Sequence, residues 1–223
     1  MRSKIAAITL KNRFASVNCY LLESDGRFIL IDTGWAATRS TLEKEFEKAG
    51  CTSQNLRLIL VTHGDFDHCG NCAHLHNQYG AKVAMHQEDT GMVAEGDLFW
   101  SRRRPNLIMR TLAQTLFKLN LQDRFMPDIC LHNDDTLTAY GFHGRIVHVP
   151  GHTRGSIGIL MEDGAFFCGD LFENRKKPTL NSLMDDPSAA RASLEKLRKL
   201  NIGFVYPGHG VPFPFAALSG ESI

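Results

Sequence analysis

No run of eighteen or more apolar residues occurs in the 223-residue chain, so no segment of it is expected to cross a bilayer as a helix. Nor is there a surplus of either charge, because 25 Lys and Arg stand against 24 Asp and Glu, a formal net charge of +1. Proteins that grip nucleic acid present a basic face. The two basic clusters here, Arg102-Arg103-Arg104 and Arg175-Lys176-Lys177, read as solvated loops or helix ends, and no nucleic-acid partner is expected. Met1 to Lys4 is charged, but the apolar stretch Ile5 to Ile8 is shorter than the core of a secretion signal and reads as a strand. The expectation is a cytoplasmic protein with no membrane partner. A zinc knuckle is lacking too: Cys69-Gly70-Asn71-Cys72 has CxxC spacing, but no second CxxC follows to complete it. A chain of this length needs no disulfide staples, so the six cysteines are expected to be reduced, with Cys69 and Cys72 filling a helix face. Internal repeats and low-complexity stretches are also missing.

What the chain does contain is 43% hydrophobic and 22% charged residues, the balance of a globular protein able to bury roughly 70% of its unfolded surface. Strand-like segments run from Ile5 to Leu10, from Asn18 to Glu23 and from Phe28 to Ile31, with Asp25-Gly26 as a hairpin turn between the last two. Ser40-Thr41-Leu42-Glu43 reads as a capping box that opens a helix ending at Gly50, with Leu42, Phe46 and Ala49 on one face. Leu58 to Val61 is apolar on both faces, as in a covered sheet. Further strands are expected over 81–85, 145–149, 156–161 and 165–168, the last two joined by Asp163-Gly164. Asp185-Asp186-Pro187 caps a helix carrying Ala190, Leu194, Leu197 and Leu200. Residues 90–120 have a helical pattern and read as an insertion within one domain spanning 1–223. Strands that first meander and then alternate with helices give a layered α/β sandwich.

Four polar clusters sit at predicted strand ends: His63-Gly64-Asp65-Phe66-Asp67-His68, Gly151-His152-Thr153, Gly169-Asp170 and Gly208-His209-Gly210. A lone histidine after a strand is more often a surface or core residue than a ligand. Four strand ends that each deliver His or Asp beside Gly are different, because glycine permits the tight turn that aims a side chain at a shared point. The pattern points to a metal site.

These motifs, in this order, resemble the metallo-β-lactamase superfamily, as do Asn18-Cys19-Tyr20 and Asp32-Thr33-Gly34. The resemblance runs from about Asn18 to Val211 and implies a four-layer αββα sandwich with a helical insertion and a two-metal site on the edge between the sheets. By position, His63 and His152 would bind a first metal, Asp67, His68 and His209 a second, and Asp170 would bridge them. The implied chemistry is hydrolysis of a small ester, lactone or thioester by a hydroxide held between two divalent ions, with Asp67 as ligand, orienter of the hydroxide and proton carrier.

One position departs from the family pattern. Where most members have His-x-His-x-Asp-His, this chain has Asp65 for the second histidine. That histidine binds through Nδ1 in relatives. Like a carboxylate oxygen it hangs on Cγ, so Asp65 is expected to remain a ligand. Three carboxylates and a hydroxide would then cancel two divalent cations, where the usual set leaves a charge of about +1. Zinc is the first expectation, and the added hard oxygen admits iron or manganese. It also keeps alive a different class, an iron-dependent oxidoreductase of the persulfide dioxygenase or diiron kind.

The remaining histidines are set aside: His74 and His76 as surface residues, His86 as a turn residue, His132 and His143 as unpartnered, and His148 as pointing away from His152. Leu98, Phe99, Trp100, Ile108 and Met109 are candidates either for an apolar substrate wall or for the insertion's own core. Arg175, Lys176 and Lys177 are weighed as an anion grip and read as solvated.

Overall fold

In a strand, alternate side chains face opposite sides, and here both sides are apolar. In the computed structural model, which describes residues 3–13, 15–100, 102, 106–108, 111 and 119–218, strand β2 (Ser16–Ser24) sends Cys19 and Leu21 into one core and Tyr20 and Leu22 into another. Strand β3 (Arg27–Ile31) divides likewise, with Phe28 and Leu30 on one side and Ile29 and Ile31 on the other. Such two-sided burial requires a cover on each face, and the chain supplies it.

The first sheet has the order β1-β2-β3-β4-β5-β6, adding β1 (Lys4–Lys11), β4 (Leu56–Leu60), β5 (Lys82–His86) and β6 (Ile129–Leu131). Strands β1 to β3 are antiparallel and β3 to β6 parallel. The outer face of this sheet is covered by α1 (Arg39–Ala49) through Leu42 and Phe46, and by α3 (Cys72–Tyr79) through Cys72 and Leu75. The second sheet runs β12-β11-β9-β8-β7, with β10 beside β9. Its strands are β7 (Gly144–His148), β8 (Ile157–Met161), β9 (Ala165–Asn174), β10 (Thr179–Leu180), β11 (Phe204–Gly210) and β12 (Phe213–Pro214). Its outer face is covered by α5 (Pro187–Leu197) through Ala190, Leu194 and Leu197. The inner faces meet over Tyr20, Ile31, Leu60, Phe142, Ile159 and Phe167. Helix, sheet, sheet, helix is the expected four-layer α/β sandwich.

Two expectations need correction. Helix α1 begins at Arg39, after a 3-10 turn over Ala36–Thr38, and Thr38 at its N-cap makes no side-chain cap bond. The Thr38 hydroxyl instead donates to the Trp35 carbonyl, so the capping box at Ser40 does not form. Gly50 does close the helix in the left-handed conformation, φ 73°. Asp170 and His209 were expected just beyond strand ends, but both lie inside long strands. The pairing of β11 with β9 slips between Tyr206 and Pro207 and again before His209, and such bulges re-aim side chains without ending the sheet. Of the expected insertion, α4 (Thr90–Ala94) is helical and Leu119 is buried, whereas Leu107 and Ile108 are exposed. Met109, Leu112 and Leu116 lie outside the described residues. Among the described residues, no helix is long and apolar enough to cross a membrane.

Candidate metal centre

The loop after β4 carries His63 and Asp65, and the short helix α2 (Phe66–Cys69) presents Asp67 and His68 from its first turn. His152 follows β7, while Asp170 comes from the middle of β9 and His209 from the bulged C-terminal end of β11. One sheet thus supplies four of these residues and the other three, and the site lies where the two sheets meet. Two groups form, His63, His152 and Asp170 in one and Asp67, His68 and His209 in the other, with the potential ligand atoms of each within 4.8 Å of one another. Asp170 stands between them: Oδ1 is 3.4 Å from His68 Nε2, and Oδ2 is 3.3 Å from His209 Nε2 and 4.0 Å from His152 Nε2. Gly208 makes this approach feasible. A Cβ there would sit 2.3 Å from Asp170 Oδ1 and 2.6 Å from His68 Cε1.

The four imidazoles share one orientation rule. His68 Nδ1 lies 2.8 Å from Asp32 Oδ2, His152 Nδ1 2.5 Å from the Leu183 carbonyl and His209 Nδ1 2.6 Å from the Ser16 carbonyl. His63 Nδ1 lies 3.0 Å from the Thr62 hydroxyl. Acceptors at Nδ1 hold one proton there and turn Nε2 into the site, the orientation that metal-binding histidines use once Nε2 is deprotonated. Correspondingly, Nε2 of His63, Nε2 of His68 and Oδ1 of Asp170 are buried with no hydrogen-bond partner. Buried polar atoms are rarely left so. A donor set of imidazoles and carboxylates around such atoms fits divalent zinc, iron or manganese.

Electrostatics bind the site together. Burial alone would lower His68 and His209, but the facing Asp170, Asp32 and Asp67 raise His68 to about 9, and Asp170 and Asp67 raise His209 to about 11. Burial pushes Asp170 and Asp67 up, and the imidazoles around them more than reverse this, leaving both below the usual carboxylate range.

Asp65 stands outside the two groups yet beside the first, with Oδ2 2.9 Å from His152 Nε2 and 3.5 Å from His63 Nε2. Its carboxylate is also gripped by Arg102, Nη1 donating to Oδ1 at 2.6 Å and Nη2 to Oδ2 at 3.0 Å. The Arg102 Nε donates to Asp185 at 2.7 Å. Arg102 therefore is no solvated loop residue: its side chain is only 11% exposed. The charge count at the site changes with it, since the guanidinium offsets the carboxylate that Asp65 adds.

Sequence reasoning also missed Asp89. This fully buried carboxylate accepts from Gly64 N, the Thr153 hydroxyl and Gly155 N, tying the loop of His63 to the loop of His152. Nothing in its local sequence marks it. Asp32 was visible within Asp32-Thr33-Gly34, but its role was not; it holds Thr62 and His68 together from a left-handed backbone, φ 58°. His74 binds Glu43 at 2.8 Å, far from the ligands in role, and Arg175 is paired with Glu173 at the surface. His86 and His148 stack with ring centroids 4.3 Å apart, a pairing the sequence did not predict.

A two-sheet αββα sandwich with paired His/Asp groups on its edge defines the fold class and a candidate two-metal site. The metallo-beta-lactamase superfamily model matches residues 12–209, and the chain belongs to that superfamily of enzymes. It is 26% identical over 216 residues to the beta-lactamase-like protein 2 homolog of Drosophila melanogaster, covering 92% of this chain and 61% of that protein. It is 31% identical over 157 residues to the hydroxyacylglutathione hydrolase GloC of Haemophilus influenzae, covering 69% of this chain and 66% of that protein. The chain thus spans somewhat less than two thirds of these relatives' lengths. Among solved structures, TTHA1623 in a di-iron-bound form superposes with a TM-score of 0.73 at 26% identity, covering 95% of this chain and 96% of that one.

Proposed function

We propose that the protein is a cytoplasmic two-metal hydrolase of small thioesters, with esters and lactones as the neighbouring substrate classes. The observation that carries this reading is the pair of inward-facing groups joined by Asp170, in which buried Nε2 and carboxylate atoms stand without other partners. His63, His152 and Asp170, with Asp65 beside them, would hold one divalent ion, and Asp67, His68 and His209 the other. When bound, such ions supply an acidified water as nucleophile and a Lewis acid for the acyl oxygen. Asp67 keeps one oxygen, Oδ2, 3.4 Å from His209 Nε2, and its side chain is 16% exposed, so it reaches both the ligand cluster and the solvent from which a proton leaves. It is the residue assigned to orient the attacking water and carry that proton.

Thioesters lead the list because the relative from Haemophilus influenzae is named a hydroxyacylglutathione hydrolase. A cavity of about 450 Å³ opens beside the first group, lined by Arg102, Asp185, His86, His148, Thr153 and Arg154. Its lining mixes charged groups with apolar ones, Pro150 and Ala189 beside Arg102 and Asp185, and Gly151 and Thr153 in it flank the candidate ligand His152. Leu98, Phe99, Trp100 and Ile108, weighed either as an apolar wall or as the insertion's own core, do not line it; Trp100 lies over Gly91, and Ile108 is exposed. No nucleic acid or membrane is part of the reading, and the substrate is a small molecule.

Iron in place of zinc is favoured by one observation, the di-iron form of TTHA1623. It leaves room for the oxidoreductase reading. Elemental mass spectrometry of protein purified without chelator, followed by a thioester, ester and lactone panel, tests both. Two ions per chain with thioester turnover supports the hydrolase. Iron with persulfide-dependent oxygen uptake and no hydrolysis would replace it with the oxidoreductase, and a metal-free, inactive protein would defeat both.

A further inference from the structure

Asp65 occupies the N-cap position of α2 with extended backbone angles, φ −71° and ψ 142°, yet its side chain caps no amide. Aspartate at an N-cap ordinarily accepts from the first-turn N–H groups. Here the carboxylate turns away from the helix and lies between two imidazoles and a guanidinium. The fork of Arg102 fits it with two parallel hydrogen bonds, a geometry that fixes the carboxylate plane as well as neutralising it. Arg102 is itself held by Asp185, and the loop that carries Asp185 also positions the site twice more. Asn181 donates to Asp170 Oδ2 at 3.2 Å, and the Leu183 carbonyl faces His152 Nδ1.

We infer that Asp65 and Arg102 act as one unit at the first metal position, a carboxylate whose charge is offset by a guanidinium that Asp185 holds in place, standing where the superfamily pattern has a neutral imidazole. Asp65 offers Oδ2 to the space between His63 and His152. Arg102 is a positioning residue that touches Asp65 and offsets the charge Asp65 adds, while Asp185 holds its Nε. The inference rests on the metal-site reading above. It reverses a natural expectation about the obvious variant. Restoring the family histidine by Asp65→His leaves Arg102 held by Asp185 through Nε alone, with Nη1 and Nη2 freed and their positive charge facing the ions, where it repels them.

The test is calorimetric titration of zinc, and separately manganese, into chelator-treated parent protein, Asp65→His, Arg102→Gln and the double variant. Thermal melting of each metal-free protein checks folding. The parent is expected to take up two ions. Asp65→His should weaken the looser of the two by about tenfold or more, and adding Arg102→Gln should bring it back to within about threefold of the parent. Should Asp65→His fail to fold, Asp65→Asn removes the same carboxylate charge from Arg102 Nη1 and Nη2 at nearly unchanged volume, and Asp65→Asn/Arg102→Gln is its rescue. Two ions bound by Asp65→His as tightly as by the parent, or a double variant no better than the single, would overturn the paired unit while leaving the metal site standing. A parent that binds no ion would overturn the metal site and the pair together.

Discussion

The Oδ2 atom of Asp32 lies 2.8 Å from Nδ1 of His68, both residues fully enclosed, and the same carboxylate takes the Thr62 amide and hydroxyl at 2.8 and 2.7 Å. One side chain thus sets the ring of a candidate ligand and the start of the loop that carries His63. Replacing Asp32 by Asn leaves one acceptor oxygen where the Thr62 amide and the His68 Nδ1 proton now have one each. Partners of this kind, when lost, cost about 10- to 100-fold in metal affinity or activity. Asp32→Asn should weaken metal uptake on that scale in a calorimetric titration, and unchanged affinity would mean that His68 is oriented by other contacts.

Asp89 joins the two ligand loops from below, with three donors converging on one buried carboxylate. Asp89→Ala leaves those donors without their acceptor, and a loss of about 3 kcal/mol in urea denaturation is expected, from about 1 kcal/mol for each stranded donor. Hydrolysis should fall as well, because His63 and His152 lose their common anchor. A fully stable Asp89→Ala would show that water takes over the three bonds.

The candidate ligands and the outlying histidines should separate sharply. His209→Ala and Asp170→Asn each remove a group from the centre of the cluster and should abolish binding of at least one ion. His74→Ala breaks only a partly exposed contact with Glu43, worth at most about 1 kcal/mol, and should leave metal content and turnover unchanged. Equal losses from His74→Ala and His209→Ala in elemental analysis would refute the ligand set.

The raised pKa values of His68, to about 9, and His209, to about 11, carry a pH signature for the chelator-treated protein. Both folded values exceed the unfolded value of about 6.5, so the stabilisation is complete below that pH. It is lost as pH rises, first through about 9 for His68 and then through about 11 for His209. Melting temperature of the metal-free chain should therefore drop between pH 6.5 and 9. Metal uptake near neutral pH should release protons, since ligand imidazoles bind ions only when deprotonated at Nε2. A metal-free melting temperature that holds level or climbs over this range would contradict the ion pairs described at the site.

The sequence alone determined the layered fold and pointed to the His and Asp clusters that the fold brings together, because both are written in short-range patterns. A glycine beside each His or Asp marks a turn, and an apolar run marks a strand, so residues such as His152 and Ile29 announced their places in the fold locally. Asp186-Pro187 likewise fixed the start of α5, the Asp186 carboxylate accepting the Ala189 amide at 2.9 Å. Tertiary structure alone decided what surrounds the ligands. Arg102 and Asp65 are 37 positions apart and Asp89 and Gly155 are 66 apart, and no local periodicity links such pairs. The stacking of His86 on His148 has the same origin, because it requires β5 of one sheet and β7 of the other to meet at the same edge. A charge read in sequence is therefore only nominal: the carboxylate that Asp65 brings to the site is offset by an arginine that only the folded chain delivers there.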